Sequence, residues 1–186
     1  MERRVSTPLT DDVVESLRSG DRLLLNGLLY TARDAAHKRL VELIDKGEPL
    51  PLDLRGQVIY FVGPTPPKPG EVIGSAGPTT SGRMDAYSPK LLDLGLKGMI
   101  GKGSRSEAVK EALRRNKAVY LGATGGAGAL LAQRIVSSRV VAYEDLGPEA
   151  IRELEVVDFP VVVINDMYGG DLYVEGRKKY ERKVGC

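Results

Sequence analysis

The residues best suited to chemistry cluster in the segment "SAGPTTSGRMDAYSPKLLDLGLKGMIGKGS", residues 75–104. It combines the hydroxyl groups of Thr79 and Thr80 with the cations Arg83 and Lys102; a glycine precedes Arg83, and glycines flank Lys102. Hydroxyl groups, a guanidinium fork and backbone amides next to glycine are the donors that carboxylates bind. The segment therefore predicts a preformed pocket for a small anion with one or two carboxylates, and by itself it specifies no reaction.

A second candidate group lies in "TARDAAHKRL", where Arg33 stands in the first turn of a predicted helix. The helix dipole and free N–H groups favour an anion there, and an arginine adds a two-bond clamp on a carboxylate. A surface ion pair with Asp34 or Glu42 explains the same spacing. We interpret His37, four residues later on this helix, as a structural hydrogen-bonding residue rather than a catalyst.

Two glycine-rich stretches match phosphate-binding motifs only in part. In "LKGMIGKGS", Leu96 and Gly103 occupy positions where a P-loop needs its first glycine and its hydroxyl residue, which excludes that motif. The turn 122–128 in "AVYLGATGGAGALLAQRI" has G-x-x-G-x-x-G spacing, with Glu144 placed like the acidic residue of a dinucleotide-binding unit. Two interpretations stay open: a dinucleotide-binding module, or a tight strand-to-helix turn whose N–H groups face a pocket.

Composition limits the class of protein. The 186 residues predict one domain, 1–186, with a short polar N-terminal arm and a basic C-terminal arm, "EGRKKYERKVG". With 27 basic and 25 acidic residues, the net charge of +2 gives no indication of nucleic acid or membrane as a partner. No apolar run approaches the ~20 residues of a membrane span, and "MERRVSTPLTDD" does not resemble a signal peptide. The single cysteine, Cys186, allows no internal disulfide, and we expect a cytoplasmic protein.

Periodicity and turn residues predict the elements that position these groups. Thr10 is expected to cap a first helix, and capping boxes are expected at Thr31 with Asp34 and at Ser104 with Glu107. Further helices are expected over "PKLLDLG" and "PEAIRELEV", strands over "QVIYFVG", "EVIGSAG", "KGMIG", "AVYLG" and "PVVVIND", and hairpins at Asn26-Gly27 and "YGGDLYVEG". The alternation in the second half predicts parallel pairing, and the whole predicts an α/β fold of three layers with a mixed sheet.

The motifs "GPTTSGRMDAYSPKLLDLGLKGMIGKG" and "TARDAAHKRL" closely resemble the β subunit, or C-terminal domain, of class I iron–sulfur fumarate hydratases and the related L-tartrate dehydratases. The resemblance runs from about residue 10 to "INDMYGGDLY" and covers nearly the whole chain. It implies a swivelling β/β/α domain, in agreement with the three layers above. It also implies a hydro-lyase that interconverts fumarate and L-malate, with L-tartrate dehydration as the alternative.

The resemblance further implies which residues act and which partner is needed. Arg33, Arg83 and Lys102 would hold the carboxylates of a dicarboxylic acid, and Thr79 would sit at the carbon that loses or gains a proton. In that family three cysteines of the other subunit or domain hold a four-iron four-sulfur cluster. Because this chain has none of those cysteines, it looks like the separate small subunit of an α2β2-type enzyme. The rivals are a dinucleotide-binding module and an assembly subunit without catalytic groups.

Overall fold

The computed structural model describes residues 2–181, so Cys186 lies outside the described residues. The strands are β1 (Glu2–Ser6), β2 (Arg22–Thr31), β3 (Val58–Tyr60), β4 (Gly98–Gly101), β5 (Val119–Gly122), β6 (Ile135–Ala142) and β7 (Ile151–Asn165). The α-helices are α1 (Asp11–Glu15), α2 (Asp34–Lys46), α3 (Ser88–Asp93), α4 (Glu107–Arg115), α5 (Gly128–Ala132) and α6 (Leu172–Tyr180). Two 3₁₀ turns span Ser81–Met84 and Glu144–Glu149.

The strands form one mixed sheet that closes on itself. Its order is β1-β2-β3-β4-β5-β7-β6, and β2 also pairs with β7. Neighbours from β1 to β5 are parallel, whereas β7 is antiparallel to β2, β5 and β6. Because β7 is 15 residues long, it pairs with β2 on one edge and with β5 and then β6 on the other. Strands β2, β3, β4, β5 and β7 therefore form a ring, and the mixed α/β fold is confirmed.

Alternate side chains of the parallel strands face two separate cores, as a strand period of two requires. In β3, Val58 and Tyr60 belong to the core inside the ring, while Ile59 belongs to the core under the helices. Apolar residues of α2, α3 and α4, such as Leu40 and Leu113, complete this second core. The molecule thus stacks three layers: these helices, the parallel strands, and β7 across the ring.

The predicted hairpin at Asn26-Gly27 is wrong, because β2 continues through it. Both halves of β2 pair with β7 in the same direction, with a register shift between Leu25 and Gly27. Gly27 has φ of +114°, and the Asn26 side chain exchanges hydrogen bonds with Asp158 on β7. The Asn-Gly pair therefore makes a β-bulge that bends a continuous strand instead of a turn that reverses it.

Other local predictions fail in the second half of the chain. The segment "PEAIRELEV" belongs to the 3₁₀ turn and to β7 rather than to a helix, and pairing with β2 and β6 fixes it as a strand. Parallel pairing was expected throughout the second half of the chain, but β7 is antiparallel to both β5 and β6. Of the strand pairs in that half, only β4 with β5 is parallel. The segment "EVIGSAG" contains no strand. The expected hairpin at "YGGDLYVEG" is a turn and then α6, whose first N–H groups bond to Asp171.

Of the three N-terminal helix caps predicted from the sequence, one is confirmed. The Thr10 hydroxyl accepts a hydrogen bond from the N–H group of Val13, as predicted. For α4 the cap is Ser106 rather than Ser104. The capping box at Thr31 is wrong, because Thr31 lies in β2 and donates to the Ala150 carbonyl at 3.2 Å. Helix α2 instead begins after Arg33 with no side-chain cap, which leaves its first N–H groups available for other partners.

Candidate functional site

The candidate residues gather at one edge of the ring, where the parallel strands end. Strand β2 leads into Arg33, β4 into Lys102, and β5 into the glycine turn 122–128. The segment that carries Thr79 and Arg83 follows β3 and crosses the same edge. The carboxyl edge of parallel strands is where α/β proteins bind ligands, because the loops that follow the strands converge there.

Thr79 and Lys102 are held together by main-chain hydrogen bonds. The Thr79 N–H donates to the Phe61 carbonyl at 2.7 Å, and the Lys102 N–H donates to the Thr79 carbonyl at 3.3 Å. The Ser81 N–H donates to the Lys102 carbonyl at 2.8 Å, and Thr80 pairs with Lys102 as a parallel bridge. The "GPTTSG" segment therefore continues the sheet for a few residues beside the end of β4.

The polar ends of these two side chains are available to a ligand. Thr79 is half-buried and Thr80 is exposed, and neither hydroxyl makes a hydrogen bond within residues 2–181. Lys102 is exposed, and no carboxylate of the described residues lies within ion-pair distance of its ammonium group. Its stem runs beside the glycine turn, where a Cβ on Gly125 would lie 3.5 Å from Lys102 Cδ. A charge with this environment is placed to meet an anion from outside the chain.

Arg83 and Arg33 are brought together through their carboxylate neighbours. Arg83 binds Asp34 with two contacts, Nε donating to Oδ1 at 3.1 Å and Nη2 lying 3.0 Å from Oδ2. Arg33 Nε lies 3.4 Å from Glu149 Oε1. Because Arg33 and Asp34 are consecutive, both guanidinium groups lie near the start of α2. The alternative of an ion pair between Arg33 and Asp34 or Glu42 is not formed, because Arg33 pairs with Glu149 and Asp34 with Arg83.

Arg33 packs against the backbone that follows β3. A Cβ on Gly63 would lie 2.8 Å from Arg33 Nη1 and 3.1 Å from its Cδ, so only glycine leaves space for this guanidinium position. Arg33 Nε is buried and donates no hydrogen bond within the described residues. Its ion-pair contact with Glu149 Oε1 at 3.4 Å leaves this buried donor without a hydrogen bond, which is unfavourable unless a ligand supplies the acceptor. Arg33 is therefore a candidate for binding a carboxylate.

His37 lies beneath Arg33 in the helix layer and is fully buried. Its Nδ1 donates to the Arg33 carbonyl at 2.8 Å, and its ring packs edge-on against Phe61 with centroids 5.3 Å apart. Burial lowers the pKa of His37 to about 4, so the ring is neutral at neutral pH. These contacts favour the structural interpretation, because the ring is enclosed in the helix layer and its Nδ1 bonds to the main chain of its own helix, while its Nε2 makes no hydrogen bond within the described residues.

A buried polar group that was not predicted from the sequence lies directly behind the site. Arg105, three residues after Lys102, has a fully buried side chain whose Nε donates to Asp85 Oδ1 at 2.6 Å. The Tyr120 hydroxyl donates to the Gly103 carbonyl and accepts from Ser81 Oγ, each at 2.8 Å. The sequence does contain the two partners, Arg105 in "GKGSRS" and Asp85 two residues after Arg83. The burial of Arg105 depends on packing between distant segments, which no local pattern encodes.

The donor set of the site suits an anion. Within residues 2–181 no group of three or more histidine, cysteine, aspartate or glutamate side chains is placed to hold a metal ion. The described residues include no thiolate, so they do not fit an iron–sulfur cluster.

Within residues 2–181 no helix is long and apolar enough to cross a bilayer. Three cavities of about 330, 480 and 260 Å³ include none of Arg33, Thr79, Arg83 and Lys102 in their linings.

The glycine turn does not have the surroundings of a dinucleotide site. A dinucleotide-binding unit needs a strand, a helix and a second strand parallel to the first. Here β5 leads through the turn 122–128 to the short helix α5 and then to β6, which pairs with β7 in antiparallel fashion. Residues 122–128 therefore form a tight connection whose exposed Gly125 lies beside Lys102.

Comparison with known proteins agrees with this geometry. A family model described as "Fumarase C-terminus" matches residues 2–176. The chain belongs to this family. The resemblance read from "GPTTSGRMDAYSPKLLDLGLKGMIGKG" and "TARDAAHKRL" is thereby confirmed.

Members of the Fumarase C-terminus family similar to this chain fall into two groups by length. The chain is 38% identical over 182 residues to a "putative L(+)-tartrate dehydratase subunit beta" of Methanocaldococcus jannaschii, covering 95% of this chain and 93% of that protein. It is 43% identical over 154 residues to the aerobic class I fumarate hydratase of Escherichia coli K12, covering 82% and 28%. It is 40% identical over 156 residues to fumarate hydratase 2 of Leishmania major, covering 83% and 28%. The chain thus spans about 28% of the length of these two fumarate hydratases.

Proposed function

We propose that this chain is the β subunit of a hydro-lyase that interconverts fumarate and L-malate, and that it supplies the carboxylate-binding and proton-transfer half of the active site. One observation carries the proposal: Arg33, Arg83, Lys102 and Thr79 lie on one open edge of the sheet. The family membership and the names of the relatives support the same reaction class.

The three cations fit the two carboxylates of a dicarboxylic acid. Arg83 already binds a carboxylate through one hydrogen bond and a second ion-pair contact, and the buried Nε of Arg33, 3.4 Å from Glu149, makes no hydrogen bond within the described residues. Lys102 adds a point charge beside the Thr79 segment. When the C–H bond next to a carboxylate breaks, negative charge moves onto that carboxylate, and fixed cations stabilise the charge as it develops.

Thr79 is the group proposed to move the proton at that carbon. Its hydroxyl is free of hydrogen bonds within the described residues and lies on the segment that pairs with Lys102. A threonine hydroxyl needs an activating neighbour before it can accept a proton. An ammonium group close to the hydroxyl, which Lys102 would supply, favours its deprotonated form, and a carboxylate of the partner subunit would complete the relay.

The proposal requires a partner. Elimination of water also needs an electrophile for the departing hydroxyl, and we propose that a four-iron four-sulfur cluster supplies it from cysteines of an α subunit in an α2β2-type assembly. The name of the Methanocaldococcus relative, a subunit beta, supports a partner chain. The same name favours L-tartrate as the alternative substrate, because this relative matches the chain over nearly its whole length.

The test is co-expression of the chain with a cysteine-bearing candidate α subunit, followed by anaerobic assays on L-malate, fumarate and L-tartrate. We expect turnover of one substrate pair by the complex and none by either chain alone. A complex that forms and turns over none of the three would overturn the proposal. If a dinucleotide raises the melting temperature of the chain and the dicarboxylates do not, the dinucleotide-binding alternative is favoured.

A further inference from the structure

Arg105 is a fully charged side chain buried completely in the helix layer. Its Nε donates to Asp85 Oδ1 at 2.6 Å, and its Nη2 donates to Ser88 Oγ at 2.7 Å. The exposed fraction of the side chain is 0% for Arg105 and 17% for Asp85. Replacing a buried ion pair by apolar residues of similar volume is often neutral or stabilising. Stability alone therefore gives little reason for a buried arginine here.

The guanidinium group packs against the two aromatic rings that are linked to the candidate site. Its central carbon lies 5.3 Å from the ring centroid of Phe61 and 4.9 Å from that of Tyr120. The Phe61 carbonyl accepts the Thr79 N–H, and the Tyr120 hydroxyl accepts a hydrogen bond from Ser81. Arg105 thus contacts the side chains of both residues that hold the Thr79 segment, Phe61 through its main-chain carbonyl and Tyr120 through its hydroxyl.

Asp85 links the opposite end of that segment to the start of α4. While its Oδ1 binds Arg105, its Oδ2 accepts the N–H of Ser106 at 2.7 Å. Asp85 comes two residues after Arg83, and Arg105 comes three residues after Lys102. The pair therefore joins the two chain segments that carry the proposed clamps, within the buried helix layer.

We propose that Arg105, through Asp85, Phe61 and Tyr120, is a positioning residue that fixes the segment Thr79–Arg83 relative to Lys102. It touches no substrate, and it acts by holding the reacting groups in register. Small displacements of catalytic groups reduce rates strongly, because the reaction depends on a nearly aligned geometry. The inference deepens the proposed function and rests on it for its kinetic consequences, whereas its structural consequence can be tested on the chain alone.

The test uses the double variant Asp85→Leu/Arg105→Met, which removes both charges and leaves neither buried without a partner. Amide hydrogen exchange of the isolated chain would be compared with wild type. We expect the amides of Thr79, Ser81 and Lys102 to exchange at least about tenfold faster, while amides in the centre of β7 keep wild-type rates. In the assembled complex we expect kcat to fall at least about tenfold.

Arg105→Lys is the second variant, because it keeps the charge and loses the planar fork that reaches Asp85 and Ser88 together. It is expected to show the same local loss of protection to a smaller degree. If the double variant also loses protection in β7, the question is decided by Arg105→Lys. In that variant the exchange rates of Thr79, Ser81 and Lys102 are again compared with those of amides in the centre of β7. The control is Arg139→Met on β6, whose side chain is 71% exposed, and it is expected to change none of these amides.

Wild-type exchange at Thr79, Ser81 and Lys102 in a folded variant would overturn the positioning role, whatever the activity. A uniform loss of protection in both variants would also overturn it, because that result describes general stability. If the wild-type complex has no hydro-lyase activity, the proposed function fails, and the exchange comparison still decides whether Arg105 fixes the segment.

Discussion

The three cations at the carboxyl edge differ in what each of them already holds. Arg83 binds Asp34 through two contacts, Arg33 lies 3.4 Å from Glu149, and Lys102 has no carboxylate partner among the described residues. In the Arg83 pair the guanidinium faces a carboxylate, with one hydrogen bond from Nε to Oδ1 and Nη2 lying 3.0 Å from Oδ2. Asp34 and Glu149 therefore hold the two arginines by ion pairs, and Lys102 supplies a charge that has no ion-pair partner within the described residues.

Arg83→Lys tests whether the fork itself is needed. A lysine keeps the positive charge and makes a single point contact, so we expect kcat/KM of the assembled complex to fall at least about tenfold. If Arg83 were only an exposed ion pair, the pair would contribute about 0–1 kcal/mol. If Arg83 holds a desolvated substrate carboxylate, truncating it would cost about 2–5 kcal/mol. Arg139→Lys, far out on β6, is the matched control with an expected value near wild type. Unchanged kcat/KM in Arg83→Lys would contradict the clamp.

Thr79→Val tests the proposed proton transfer, with Thr80→Val as its neighbour control. General acid–base groups contribute ~10²–10⁴-fold, so we expect Thr79→Val to lose at least ~10²-fold in kcat with little change in KM. Thr80 is the more exposed of the two, and its variant should lose much less. Steady-state kinetics of both complexes decide the question. A normal kcat with a raised KM in Thr79→Val would make Thr79 a binding residue only.

His37 should control part of the pH dependence of stability. Its pKa is lowered by burial from 6.5 to about 4, so between these values the unfolded chain binds a proton that the folded chain does not. The free energy of unfolding must therefore fall as the pH drops through that window, by about 3 kcal/mol between pH 7 and pH 4. Urea unfolding of wild type and His37→Leu at the two pH values measures this difference. An equal decrease in both proteins would show that His37 is not buried as described.

At the scale of elements, the start of α2 and the end of β3 together hold Arg33. The helix has no side-chain cap, and Gly63 leaves space for the guanidinium group. Gly63→Ala would place a methyl group 2.8 Å from Arg33 Nη1, and the flexible end of the arginine must move away. We expect kcat/KM of the complex to fall at least about tenfold with little change in melting temperature.

The control for Gly63→Ala is Gly176→Ala in α6, where a new Cβ meets no atom within 4 Å. This change removes a glycine from a helix interior and should stabilise the chain slightly without affecting turnover. Thermal unfolding and steady-state assays on both variants separate the two effects. A Gly63→Ala complex with wild-type kcat/KM would show that the position of Arg33 is not important for binding.

The elements with strong local signals were predictable from the sequence. Strands β3, β4 and β5 are short apolar runs between turn residues, and α2 and α4 have clear apolar faces. The failures are places where partners distant in sequence override the local signal. Ile151 and Leu154 have helical spacing, but β7 lies between β2 and β6 and must be a strand. Asn26-Gly27, which is typical of a turn, forms a β-bulge, because both halves of β2 pair with the distant strand β7.

The candidate site divides in the same way. The cations and hydroxyl groups of "GPTTSGRMD" and "GKGS" were found from residue types and spacing, because polar groups beside glycines are visible in one dimension. The carboxylate neighbours of these cations were not predicted, because Glu149 and Arg33 are more than a hundred residues apart in the sequence. The role of Arg105 depends on Phe61 and Tyr120 enclosing it, and only the packed second core shows that arrangement.

At the scale of the whole molecule, the ring of strands has one edge whose charged groups face outward. The ring interior is filled by apolar side chains, and none of the four candidate residues lines a described cavity. A dicarboxylate bound on this open edge would be exposed to water on one side. Closed active sites strengthen electrostatic interactions by excluding water. The open edge therefore fits half of a site that a second subunit completes.

This arrangement predicts that the isolated chain is colourless, free of iron–sulfur cluster and inactive. The 186 residues contain one cysteine, whereas a four-iron four-sulfur cluster needs several thiolates. After anaerobic reconstitution of the purified chain with iron and sulfide, and removal of unbound metal, we expect no visible absorption band and no bound iron. The same treatment of the complex with the α subunit is the positive control and should yield both. A stoichiometric cluster on the chain alone would contradict the assignment of the cluster to the partner, because its ligands would then have to come from this chain.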